Sequence, residues 1–182
     1  MFVYYDFETT GLNPFHNKII EYCFIDSRNN QLQSLINPGS EISDIISNIT
    51  HISNDMLKDK PSINDKKNNI INFLNMCHNE YVYLVAHNNN NFDRFFFKNI
   101  FKEDSLWEPI LNEKIRYIDT IHLAKYLMPN QKMFNLKALC KYYSIEPGTH
   151  RATDDTIALK QLFEKLVYIL AQKIKIDYEI LI

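Results

Sequence analysis

The sequence predicts an α/β fold: a mixed five-stranded sheet, three antiparallel strands followed by parallel ones, with helices on both faces. Three observations predict it. Three short apolar segments near the N-terminus are separated by turn-forming residues, as in an antiparallel meander. After Asn37-Pro38-Gly39 the hydrophobic period changes from strand-like to helix-like. From there helical segments alternate with two further apolar strands, the pattern of parallel pairing through crossovers.

The elements follow in order. Phe2–Phe7 is short, aromatic and β-branched, a buried strand. Ile19–Ile25 is the second strand, Ser27-Arg28-Asn29-Asn30 a turn, and Leu32–Ile36 the third strand. Ser53 caps a short helix through Leu57. Ser62 caps a longer one that puts Ile63, Ile70, Ile71, Leu74 and Cys77 on one face. Tyr81–Ala86 lacks polar alternation and reads as a strand covered on both faces. A polar loop, Asn88–Asn91, leads to a helix over Phe92–Phe101. Ile115–Ile118 is the fifth strand. Asp119 caps Thr120–Leu127, which Pro129 stops, and Asn135 caps Leu136–Tyr143. A last helix runs from about Thr153 to the region of Ile174. With strand one central, the strand order reverses beside it, and ligands of such sheets bind at the carboxyl ends of strands near that reversal. Asp6 and Glu8 lie at that end.

Length and composition bound the function. The 182 residues suit one domain, residues 1–182, with 46 % hydrophobic residues for its core and only 3 Gly and 6 Pro for linkers. Three cysteines at wide spacing without a CxxC argue against a disulfide framework or a zinc site and for a reducing compartment. The N-terminus has no basic residue before its apolar ones, and no apolar run approaches a membrane span. The expectation is a soluble cytoplasmic protein with no membrane contact, placed in a host's cytoplasm or nucleus if the chain is viral. A formal charge of −2 is not that of a protein gripping long duplex, so any nucleic-acid contact is expected to be short or cation-assisted.

Three segments carry chemistry. In Asp6-Phe7-Glu8 the carboxylates are two apart on a strand and share a face. They form either a solvated acidic strand end or a seat for a hard divalent cation, which relieves their repulsion. Asn88-x-x-x-Phe92-Asp93 leaves a buried strand and starts a helix, where Asp93 serves as a cap or as a ligand. His150-Arg151-Ala152-Thr153-Asp154-Asp155 places a histidine in a loop and acids in the first helical turn, with Thr153 or Asp154 as ordinary caps.

Taken together, Asp6-x-Glu8-Thr9-Thr10-Gly11-Leu12, Asn88-x3-Phe92-Asp93 and His150-x4-Asp155 resemble the DEDDh 3′→5′ exonucleases, the DnaQ-like family of the ribonuclease H-like superfamily. The likeness extends from Val3 to about Leu166, with weaker family-like segments at Ile36–Gly39, Thr50–Met56, Asp119-Thr120 and Asn135–Cys140. Asp154 competes with Asp155 as fourth ligand, and the family's spacing from His150 favours Asp155. The spacer after Asn88 resembles that of autonomous nucleases more than that of polymerase proofreading subunits.

The resemblance implies a ribonuclease H-like sheet and a metal-dependent phosphodiester hydrolase. Asp6, Glu8, Asp93 and Asp155 would hold two divalent cations, Mg²⁺ or Mn²⁺, and His150 would be the general base. Thr9, Thr10 and Gly11 would hold the terminal 3′-hydroxyl and Leu12 would wedge beside the last base. Ile52, Asn88 and Phe92 would complete the nucleotide pocket. The expected substrate is a DNA 3′ end, single-stranded or mismatched. An RNA-trimming exoribonuclease of the ribonuclease T or oligoribonuclease type is the alternative, and an inactive nucleic-acid-binding module is the third reading.

Overall fold

The computed structural model describes residues 1–76, 78 and 80–180. Its sheet has the order β3-β2-β1-β4-β5, built from β1 (Phe2–Thr9), β2 (Ile19–Asp26), β3 (Gln31–Leu35), β4 (Val82–Ala86) and β5 (Ile115–Asp119). The first three strands pair antiparallel, and β4 joins β1 and β5 in parallel. This is the expected mixed sheet, with β1 central and the order reversing beside it. The strand bounds differ from expectation by one or two residues at most ends, and Glu8 and Thr9 fall inside β1 rather than after it.

The helices are α1 (Asp44–Thr50), α2 (Asn54–Leu57), α3 (Ile63–Leu74), α4 (Asp93–Phe101), α5 (Trp107–Lys114), α6 (Thr120–Leu127), α7 (Leu136–Tyr142) and α8 (Ala152–Ile174). Ser53, Ser62, Asp119 and Asn135 cap their helices as expected. Ser62 does so in a capping box closed by the Asp65 side chain. Ile70, Ile71 and Leu74 are buried on α3, and the expected place of Cys77 on that face lies outside the described residues. The expected elements did not include α1 and α5. The first exposes Ile45 and Ile49 and so lacks a clean apolar stripe. The second carries Pro109 in its first turn and takes its cap from Asp104, three residues before it starts.

The two faces of β1 have different tasks. Val3, Tyr5 and Phe7 point one way into an aromatic core: Tyr5 stacks on Phe24 with ring centroids 5.6 Å apart and meets Phe97 of α4 edge-on. Phe2, Tyr4, Asp6 and Glu8 point the other way, where Phe163 of α8 covers Phe2 and Tyr4. The alternation thus buries the strand through its aromatic residues and leaves the two acids of the α8-facing side beyond the covered part.

β1 also outruns its parallel neighbour. Its pairing with β4 stops at Tyr4 opposite Val85, while β1 continues to Thr9. The edge of β1 facing β4 is therefore open from Tyr5 onward, and α4 begins in that gap.

Candidate active site

The site forms where β1 overhangs. Asp6 and Glu8 share one face, and α8 brings Asp155 to them so that one carboxylate oxygen from each of the three lies within 4.8 Å of the others. Asp154 is exposed and accepts a hydrogen bond from the Thr149 hydroxyl, so Asp155 is the acid turned toward the pair.

Asp93, on α4, lies outside that 4.8 Å trio but near enough for its charge to act on Asp6 and Glu8. It stands at the first helical position, after Phe92, and makes no cap. Only 2 % of it is exposed, and its Oδ1 is buried with no hydrogen-bond partner among the described residues. An orphaned buried carboxylate oxygen is costly unless a cation or proton meets it.

The electrostatics agree. Burial, followed by the charges of Asp93, Glu8 and Asp155, holds the Asp6 carboxyl well above its ordinary value. Burial and Asp155 push Glu8 up to about 8. Burial pushes Asp93 up to about 8 against the pull of the backbone N–H groups of Asp93 and Phe7. Asp155 rises to about 6, mainly by burial, with His150 opposing the shift. Four carboxyls that resist ionisation together are what a pair of divalent cations with oxygen preference would relieve.

His150 is exposed, in a left-handed backbone conformation (φ 59°), and no hydrogen bond fixes its ring among the described residues. Its backbone N–H donates to the Asp155 carboxylate, which sets the residue, though not its ring, beside that acid. Gly148, two residues earlier, lies against Asp155 so closely that a Cβ there would stand 1.8 Å from Oδ1.

The loop after β1 is stitched internally. Thr9 Oγ1 donates to the Gly11 carbonyl at 2.7 Å, and the Lys18 amide donates to Thr10 Oγ1 at 3.0 Å. Asn17 packs against Gly11, where a Cβ would meet its amide group at 2.8 Å. Leu12 is left 83 % exposed beside the site. Ile52 departs from expectation: it is fully buried with Ile20, Ile42 and Leu57, and α1 and α2 enclose it, so it packs the fold and does not face a nucleotide.

Asn88 adopts φ 66° and donates its amide to Asp119, which also accepts from Asn90 and caps α6. Asn89 is wholly buried: it accepts from the Tyr5 hydroxyl and donates to the carbonyls of Leu84 and Ile118. The polar loop is thus mostly engaged with the sheet. Phe92 packs on Phe96, ring centroids 5.0 Å apart, and only part of it is exposed.

Sequence reasoning did not single out Glu21. It lies opposite Glu8 in the β1–β2 register, is 6 % exposed, and holds Arg151 and the α8 N-terminus. Its signal was available: one acid inside the apolar run Ile19–Ile25 requires a cationic partner.

Fold and site together define a class: a ribonuclease H-like nuclease of the exonuclease type. The model of the RNase_T exonuclease family matches residues 3–163. PolC-type DNA polymerase III of Halalkalibacterium halodurans is 33% identical over 171 residues, and that of Thermotoga petrophila 35% identical over 174, each alignment covering 91% of this chain. The chain belongs to this exonuclease family, of DEDDh, DnaQ-like type. It spans only 11% and 12% of the length of those two polymerases. Exonuclease X, solved in complex with 5′ overhanging duplex DNA, is 28% identical with a TM-score of 0.68, covering 92% of both chains. Exonuclease I of E. coli, solved with a dA16 oligonucleotide, shares the fold at a TM-score of 0.72 and 21% identity, over 91% of this chain and 40% of that one. These identities do not carry the greater likeness to autonomous nucleases expected from the Asn88 spacer.

Proposed function

We propose that residues 1–182 act as one 3′→5′ exonuclease domain that releases nucleoside 5′-monophosphates from single-stranded or mismatched DNA 3′ ends. One observation carries the reading: carboxylate oxygens of Asp6, Glu8 and Asp155 converge within 4.8 Å, and Asp93, whose buried Oδ1 has no hydrogen-bond partner among the described residues, is near enough to repel Asp6. These four side chains would hold two divalent cations, Mg²⁺ or Mn²⁺, which supply positive charge to the attacking water and to the departing 3′ oxygen.

The chain's own residues do the rest. His150 is free to turn and takes the proton of the attacking water on an imidazole nitrogen, a role typically worth about 10²–10⁴-fold in rate. The Thr9–Gly11 turn holds the terminal 3′-hydroxyl, though not through the Thr10 N–H, which the Lys18 carbonyl accepts at 2.8 Å, and the projecting Leu12 wedges against the last base through apolar contact that tolerates any sequence. Asn88 and Phe92 line the entry to α4. DNA is favoured because the PolC-type polymerases and exonuclease X are named for DNA or solved with it.

The test is release of labelled mononucleotide from a DNA 3′ end. Turnover is expected to need Mg²⁺ or Mn²⁺, to stop with chelator, and to vanish in Asp6→Ala while the variant stays folded. Metal-independent turnover, or full turnover in Asp6→Ala, would overturn the assignment. Faster trimming of a matched RNA strand would move the substrate to RNA.

A further inference from the structure

The hollow beside α7 carries charge that the four-carboxylate site does not use. It is a shallow, solvent-open hollow of about 850 Å³ between the segment 130–135 and α7. Lys132, Lys137 and Lys141 border it, and no carboxylate belongs to its lining, although the whole chain is net negative. All three lysines are exposed, and none forms an ion pair among the described residues. Lys137 and Lys141 stand one turn apart, about 6 Å along the helix, on one face. In the same lining, Met133 is 57% exposed and Tyr142 61%. Solvated lysines on a helix are ordinary. Three unpaired ones around a hollow that also offers a phenol ring and a thioether match a polymer with regular phosphates and flat apolar bases.

The hollow is also fixed in place relative to the site. The inner face of α7 packs Leu139 against Leu162 and Leu166 of α8, the helix that carries Asp155. Cys140 is buried in α7 and near enough to Asp155 to feel its charge. The Phe134 carbonyl lies 2.8 Å from His87 Nε2, which pins the 130–135 segment to the residue preceding Asn88.

We propose that this hollow is the track for the strand upstream of the 3′ end: Lys132, Lys137 and Lys141 hold successive phosphates, and a base lies against Tyr142 and Met133. The proposal rests on the exonuclease reading, and it explains how a chain without a basic excess retains a strand between cleavages.

Binding and turnover test it separately. Anisotropy of a labelled single-stranded oligonucleotide is titrated with salt, with Ca²⁺ in place of Mg²⁺. Each phosphate contact contributes about 0.7 to the log–log salt slope of single strands, so K132A/K137A/K141A is expected to flatten it by about 2. In turnover, KM for the oligonucleotide rises while kcat holds, and the p-nitrophenyl ester of thymidine 5′-monophosphate, which has no upstream strand, shows no such rise. K132Q/K137Q/K141Q keeps most of each side-chain stem and replaces the alanine variant if that one unfolds. An unchanged salt slope, or an equal rise in KM on the small ester, overturns the track. Failure of the native chain to hydrolyse either substrate sinks the exonuclease reading instead, and the salt slope still decides the track.

Discussion

The carboxylate of Glu21 on β2 grips Arg151 at the start of α8, with Oε1 2.6 Å from Nη2 and Oε2 3.0 Å from Nε. The same Oε2 accepts the Ala152 amide at 3.0 Å. An orphan N–H of the first helical turn is thereby satisfied from the sheet, since Arg151 makes no cap of its own. Because His150 precedes this clamp and Asp155 follows it, the pair sets where these two proposed site residues stand.

Glu21→Gln is expected to lower both stability and turnover. Removing one charge of a buried pair costs about 3–5 kcal/mol, and the one-third exposure of the Arg151 side chain discounts this to about 1–3. At about 2–4 °C per kcal/mol for a chain of this size, Tm falls by several degrees. If the clamp positions the site, kcat also falls, on the order of 10²-fold for a displacement near 1 Å. Calorimetry and single-turnover rates check both. A variant that melts early but turns over normally would reduce the clamp to a structural tie.

Gly148→Ala should act on Asp155. Its Cβ would meet the carboxylate of Asp155 and also approach the Asp155 Cα to 2.8 Å, so the backbone or the ligand must move. The expected result is a Mn²⁺ half-saturation raised about 10–100-fold, the scale seen when groups supporting metal ligands are altered. Calorimetric titration with Mn²⁺ reads it, and unchanged affinity would show that the 144–151 segment yields without cost.

Stability without metal should fall as pH rises. Unfolded, these carboxyls titrate near 4, whereas folded Asp155 lies at about 6 and Glu8 and Asp93 at about 8. Between those values the folded chain binds more protons than the unfolded one, so each unit of pH erodes stability. The contribution is complete below about pH 4, and its loss ends above about pH 8. Melting in chelator across that window is the measurement. Mn²⁺ should restore the melting temperature most at the alkaline end, and a metal-free Tm that climbs with pH would refute the electrostatic picture.

Asp6→Asn should separate activity from stability. The native carboxyl is buried and repelled by Asp93, Glu8 and Asp155. A neutral amide removes that repulsion, so the metal-free variant is expected to melt above the native chain at about pH 8 while its nuclease activity is lost. A lower melting temperature at that pH would show that Asp6 contributes favourable contacts beyond its charge.

The sheet and the shared face of Asp6 and Glu8 were legible because they are written locally, whereas Asp93 and Asp155 were singled out only through the family resemblance. Asp6 and Glu8 follow from strand alternation, and the caps Ser62, Asp119 and Asn135 from positions beside apolar periods. What was not legible depends on partners distant in sequence. The cap of α8 comes from Glu21, 131 residues away from Ala152. Asn89 reads as a solvated loop residue, yet the sheet buries it. Ile52 reads as a pocket wall until α1 closes over it, and α1 has no clean stripe to announce itself.

The Tyr5–Asn89 hydrogen bond has a mechanical consequence. One side chain ties the central strand to the carbonyls of Leu84 and Ile118, so three strands are sutured where β1 parts from β4. The loop that leads into Asp93 is therefore anchored to the sheet by a side chain as well as by its backbone. The same point of the sheet thus carries two loads at once: the parting of two strands and the start of the helix that follows Asn89 by four residues.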